Sequence, residues 1–178
     1  MPLRSLATGL DNLVRVVSAA LALLAGALLA LLYVIVQFEV VMRFVFHAPT
    51  HWTHEVSTFS ISWVGLLAAP YALRLGSQLE VDLVVTRLPP LARAVLGAAT
   101  DLLGAAFCAF AAWLGIGFVE IAQMIEATSA SELDTPLWIP YLVIPVAFGG
   151  LCLEFLVRAL ARAGLVAGRV PTAQAVHI

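Results

Sequence analysis

Three groupings of side chains in this 178-residue chain are of types that do chemistry. His51, His54 and Glu55 form H-x-x-H-E, which offers two nitrogens and a carboxylate to a metal ion. The order differs from the H-E-x-x-H of zinc peptidase helices, and the fragment sits at the edge of an apolar run. Interfacial polar residues are the simpler reading. Asp101 lies inside an apolar stretch, where an ionisable group is by default a candidate for moving protons or ions. It follows Arg93 so closely, about 12 Å at helical rise, that pairing with an arginine of this chain or of a partner is favoured. Glu39 and Arg43 are spaced i,i+4 with the acid first, the better order for an ion pair on a helix.

Other chemistries find less support. Haem held between helices needs histidines inside facing spans, yet His47, His51 and His54 share one loop and His177 stands in the tail. Cys108 and Cys152 lie in apolar stretches with no C-x-x-C and no metal-ligand spacing, and read as two small hydrophobes. Trp52, Trp63, Trp113, Trp138 and Tyr141 could line a ligand cage, although aromatic belts at a membrane boundary account for Trp52, Trp138 and Tyr141. No basic patch suggests nucleic acid. No cofactor or metal is expected.

These residues need elements to hold them, and composition says which kind. Hydrophobic residues make up 62% of the chain and charged ones 11%, against about 45–50% and about 25% in soluble domains. Such a chain has too little polar surface to cover a water-soluble globule. It reads as an integral membrane protein. The charges divide it into apolar runs at about 16–38, 56–73, 94–119 (broken only by Asp101) and 135–153, the fourth span continuing past Glu154 as 135–157, each long enough to span a bilayer as a helix. The expected fold is therefore an all-α membrane protein of four transmembrane helices. Residues 1–163 form its single domain and 164–178 a short flexible tail. The first run is longer than a signal-peptide core and lacks a small-x-small cleavage site, so it reads as a retained span.

Arginine counts set the orientation. All 9 basic residues are Arg, and Arg43 alone falls on the face that also carries Glu120, Glu126, Glu132 and Asp134. The bias predicts cytoplasmic termini.

Local signals refine the spans. Past Glu39 the chain stays apolar, so the first helix is expected to continue to about Phe46 as one tilted or bent rod of roughly 50 Å, ended by Pro49. Thr53 is the expected N-cap of the second helix, and Pro70 is expected to kink it. Pro89 and Pro90 suit the start of the third. Pro136, Pro140 and Pro145 predict an irregular start to the fourth. Gly97, Gly104, Gly115 and Gly117, with Gly149 and Gly150, permit close helix approach, within the chain or to a partner.

The stretch Arg43–Asp82 (R-F-V-F-H-A-P-T-H-W-T-H-E-V-S-T-F-S-I-S-W-V-G-L-L-A-A-P-Y-A-L-R-L-G-S-Q-L-E-V-D) resembles the small membrane subunit of tripartite ATP-independent periplasmic (TRAP) transporters, the DctQ family. Arg43, Trp52, Glu55, Trp63, Ala72, Arg74, Val81 and Asp82 occupy positions of that family's pattern. The Pro-rich T-P-L-W-I-P-Y-L-V-I-P-V-A-F-G from Thr135 to Gly149 is similar to the start of its last helix. The resemblance covers about residues 10–160. His54 stands where an acid is usual, Gln78 where His is common, and Ala68 where Gly often sits.

That resemblance implies a scaffold in the bacterial inner membrane. Its partners would be a large DctM-type membrane subunit carrying the solute and sodium sites, and a periplasmic DctP-type binding protein that delivers an organic acid. Glu39, Arg43, Trp52, Glu55, Trp63, Arg74, Asp82 and Asp101 become candidates for structural or partner contacts, with Arg43 pairing Glu39 or Glu55. No acid falls at a bilayer midplane, which fits a subunit that does not couple ions alone. The competing readings are a small membrane enzyme with a polar site at the first loop and a stand-alone four-helix exporter.

Overall fold

Apolar runs free of helix breakers coil into helices, and here they coil further than the charges suggest. The computed structural model of the chain describes residues 2–48, 50, 52–76, 89–129 and 134–162. Within them lie α1 (Pro2–Phe44), α2 (Trp52–Leu75), α3 (Pro90–Met124), α4 (Trp138–Tyr141) and α5 (Val143–Arg162). The fold is all-α. Four stretches are long and apolar enough to cross a membrane: Ala7–Phe44, Trp52–Leu75, Ala94–Met124 and Trp138–Arg162. Helices suit that environment because each satisfies its own backbone polar groups. Asp82, residue 163 and the tail 164–178 lie outside the described residues.

α1 is longer than its apolar run. Its 43 residues make a rod of about 65 Å, against the roughly 50 Å expected. The difference is at its beginning, where Pro2 opens the helix in a position proline tolerates. Asp11 and Arg15 then continue it. At the other end α1 stops at Phe44, and His47 takes a left-handed backbone (φ 54°) that turns the chain back. The Ala48 N–H donates to the Met42 carbonyl at 3.1 Å, closing the turn.

α2 begins at Trp52, so Thr53 falls inside its first turn and is not the N-cap. The Thr53 hydroxyl instead donates to Glu39. α3 opens on Pro90 after an extended Pro89, as its two prolines predict. The last span is broken at Leu142 into α4 and α5, the irregular start expected from its prolines.

The helices pack in a defined order. α5 sits centrally and uses two faces. Val143, Ala147, Gly150, Glu154, Val157 and Ala161 are buried, at spacings of four and three that line one side of a helix. This side meets α1, whose buried Ala7, Val14, Ser18 and Ala25 also share one stripe, and α2. The other side of α5 packs against α3. There Gly104 and Gly115 let the helices close up: a Cβ at Gly104 would lie 2.9 Å from Phe155, and one at Gly115 would lie 2.7 Å from Ile144. Small residues are how helices approach each other in lipid, where no hydrophobic force drives them together. Gly150 does the same for Pro70 of α2, 3.0 Å from where its Cβ would be. Gly117 and Gly149 meet nothing.

Among the described residues α3 reaches the rest of the molecule mainly through α4 and α5. Its outer face, with Phe107, Phe110, Trp113 and Phe118, is exposed, as is much of α1 from Leu23 to Phe44.

Candidate functional site: polar clusters at the two ends of the bundle

Charged side chains in an apolar protein must be paired or reach water. Here they collect at two opposite ends. At the first, the end of α1 meets the start of α2. Arg43 Nη2 donates to Glu39 Oε1 at 2.7 Å. The other carboxylate oxygen of Glu39 accepts from the Thr53 hydroxyl at 2.9 Å and from the Thr50 backbone N–H at 3.3 Å. It also accepts from the Thr50 hydroxyl, which itself meets that of Thr53. One carboxylate thus clasps the turn between two helices. Arg43 is largely exposed, with 61% of its side chain accessible, so this pair is worth little as a stabilising contact. Its guanidinium is instead available at the surface. The Trp52 ring lies 6.3 Å from that of Phe38 across the same turn.

Glu55 is buried one turn into α2 and is not the partner of Arg43. Trp63 is deeper still. It packs against the buried group Ala25, Leu67 and Val143, tying α1, α2 and α5 together. On the same end, Glu126 and Asp134 both adopt left-handed backbones (φ 47° each). Between them Ser129 N–H donates to the Thr135 carbonyl, and Leu137 N–H to that of Ala127, each at 2.9 Å. This clasp joins the end of α3 to the start of α4.

The second end is knit by longer-range pairs. Arg74 donates through Nη1 to Glu154 Oε1 and through Nη2 to Asp11 Oδ1, both at 2.9 Å. Ser18 adds its hydroxyl to the same Glu154 oxygen. These contacts join α1, α2 and α5. Asp101 of α3 is 97% buried and pairs with Arg162 Nε at 2.7 Å and Arg158 Nε at 3.6 Å, both on α5. Asp101 therefore finds its partners within the chain. Three acids and three arginines balance one another. Their positions place the start of α1, the end of α2, the start of α3 and the end of α5 at one end of the bundle.

Of the eight candidates, Glu39, Arg43 and Trp52 come together at the first end, with Glu55 one turn further along α2 and Trp63 in the core beneath. Arg74 and Asp101 go to the opposite end in separate clusters, and Asp82 lies outside the described residues. Sequence reasoning missed Asp11, Ser18 and Glu154. A signal existed: Asp11 and Ser18 stand seven residues apart on α1, which puts two polar groups on one helix face in register with the buried Ala25. Glu154 follows the charge-free stretch 135–153 directly, so in the sequence it reads as a span boundary and gives no sign of its partners.

The family model described as "Tripartite ATP-independent periplasmic transporters, DctQ component" matches residues 32–164, three quarters of the chain. The chain belongs to that family. Among similar TRAP proteins is the "Isethionate TRAP transporter permease protein DctMQ" of Oleidesulfovibrio alaskensis, 28% identical over 139 residues, covering 75% of this chain and 22% of that protein. Another is the "C4-dicarboxylate TRAP transporter small permease protein DctQ" of Rhodobacter capsulatus, 33% identical over 109 residues, covering 59% of this chain and 46% of that protein. The chain thus spans about a fifth of the first relative and about half of the second. For a DctQ component, both polar ends lie within or beside the matched region, and only the first part of α1, with Asp11 and Ser18, falls outside it.

Proposed function

We propose that this chain is the scaffold subunit of a binding-protein-dependent secondary transporter of the TRAP type, which imports an organic acid coupled to sodium. Its own task is to hold a large transport subunit in place and to help present the outer surface on which a binding protein docks. The observation that carries the reading is the distribution of charge. Between the two polar ends, Val16–Phe38, Val56–Leu73 and Leu102–Val119 hold no Asp, Glu, Lys or Arg, so nothing charged is available midway through these spans to couple a solute to an ion. The broad exposed faces of α1 and α3 leave room for a large apolar partner.

The relatives' names point the same way. One joins DctM and DctQ in a single permease, and both named solutes are organic anions. In this reading the membrane is the bacterial inner membrane and both termini are cytoplasmic. The Glu39–Arg43–Thr53 clasp and the Glu126–Asp134 clasp then face the periplasm. Copurification tests it: the tagged chain, expressed in its native membrane, should bring down a much larger polytopic protein in fixed proportion. Solute turnover or a bound metal in the isolated chain would favour the enzyme reading instead.

A further inference from the structure

At the end of the bundle that holds Asp11, Arg74, Asp101, Glu154, Arg158 and Arg162, the ion pairs match every acid with a guanidinium. Arg15 stands outside this set. It is exposed, and no carboxylate lies against it among the described ion pairs of this end. It faces an open groove of about 520 Å³ between α1 and α2, lined by Arg15, Val16, Ala19, Tyr71, Arg74 and Leu75. Arg15 also marks the start of the apolar run Val16–Phe38, and so the depth at which hydrocarbon gives way to lipid head groups.

We propose that this groove binds the head group of an anionic phospholipid. The phosphate is taken by the Arg15 guanidinium, a donor whose charge and geometry suit it, with the Tyr71 hydroxyl as second donor. The acyl chain continues along Val16, Ala19 and Leu75. Basic pockets between membrane helices are recurrent sites for such head groups. The groove favours an anionic over a zwitterionic lipid because no acid lines it, and Arg74, shared by Asp11 and Glu154, leaves Arg15 as the guanidinium open to a ligand. Its lining holds no carboxylate for a choline or ethanolamine. This inference concerns the chain's own membrane surface and holds whatever solute the transporter carries.

The test uses the full chain purified in neutral detergent and incubated with equal amounts of phosphatidylglycerol and phosphatidylcholine of matched acyl chains. After gel filtration, the retained lipid is quantified by mass spectrometry. Phosphatidylglycerol should be retained about tenfold over phosphatidylcholine, and Arg15→Gln should bring it down to the phosphatidylcholine level. Arg15→Lys should keep most of the retention, Tyr71→Phe should lose part of it, and Arg43→Gln, at the opposite end, should change nothing. Circular dichroism and elution volume show that each variant is folded, which exposed Arg15 makes straightforward. Equal retention of the two lipids, an Arg15→Gln chain that still holds phosphatidylglycerol, or its displacement by excess inorganic phosphate would each overturn the proposal.

Discussion

Arg74 donates to Glu154 at 2.9 Å across 80 positions of sequence, joining α2 to α5 in a pair whose acid is fully buried. Removing one member of a buried pair costs about 3–5 kcal/mol when the other charge is left without a partner, and less here because Arg74 keeps Asp11. Glu154→Leu should still lower the thermal unfolding midpoint in detergent, since it breaks the link from α5 to both α1 and α2. Ser18→Ala, which deletes one hydrogen bond, should cost about 1 kcal/mol. The double change Arg74→Met with Glu154→Leu should lose more than the single one, because it also takes the Arg74 guanidinium from Asp11. A Glu154→Leu chain as stable as the wild type would remove the pair from any architectural role.

The α3–α5 contact makes a sharper contrast between two glycines on one helix. Gly104→Val places methyl groups where Phe155 already stands and should destabilise by about 1–3 kcal/mol. Gly117→Ala meets open space and should be neutral or slightly stabilising. Parallel unfolding curves for the two variants decide this, and equal losses would mean that α3 is not held where the structure has it.

Asp101→Asn leaves Arg158 and Arg162 facing a neutral amide. Because α3 is anchored mainly through α5, the effect should be local. Hydrogen exchange should rise across the first half of α3 while α2 stays protected. Uniform loosening of all four spans would contradict that division.

These tests bear on what the residues reveal before they fold. The four spans were readable because an apolar run of about 20 residues has few alternatives. Their ends were not. Glu39, Arg43, Glu120, Glu154, Arg158 and Arg162 all sit inside helices, so a charge marks where a span needs a partner or the water boundary, and not where the helix stops. The Glu39–Arg43 pair was readable since both residues lie on one helix. Thr53 looked like a cap because its position relative to Glu39 depends on how the intervening turn folds back. Asp101 announced that it needed a cation, but Arg158 and Arg162 are about 60 residues away and only the α3–α5 packing selects them. The Arg74–Glu154–Ser18 contact needs three helices to meet, which no local pattern encodes.

At the Glu39–Arg43–Thr53 clasp, stability and function should separate. Arg43 is mostly exposed and its pair with Glu39 is of the i,i+4 kind, so Arg43→Ala should cost less than about 1 kcal/mol. Glu39→Ala removes the acceptor shared by Thr50, Thr53 and Arg43, and should cost more. If Arg43 positions a partner, Arg43→Ala lowers solute uptake or partner retention while the unfolding midpoint stays put. Unchanged uptake and assembly would end that role.

The central claim is that this chain supports transport without carrying it out, and uptake into proteoliposomes under an inward sodium gradient tests it most directly. The chain alone should accumulate no labelled organic acid. The large membrane subunit with its binding protein should transport only when this chain is present. Uptake by the chain alone, or undiminished uptake in its absence, would contradict the account.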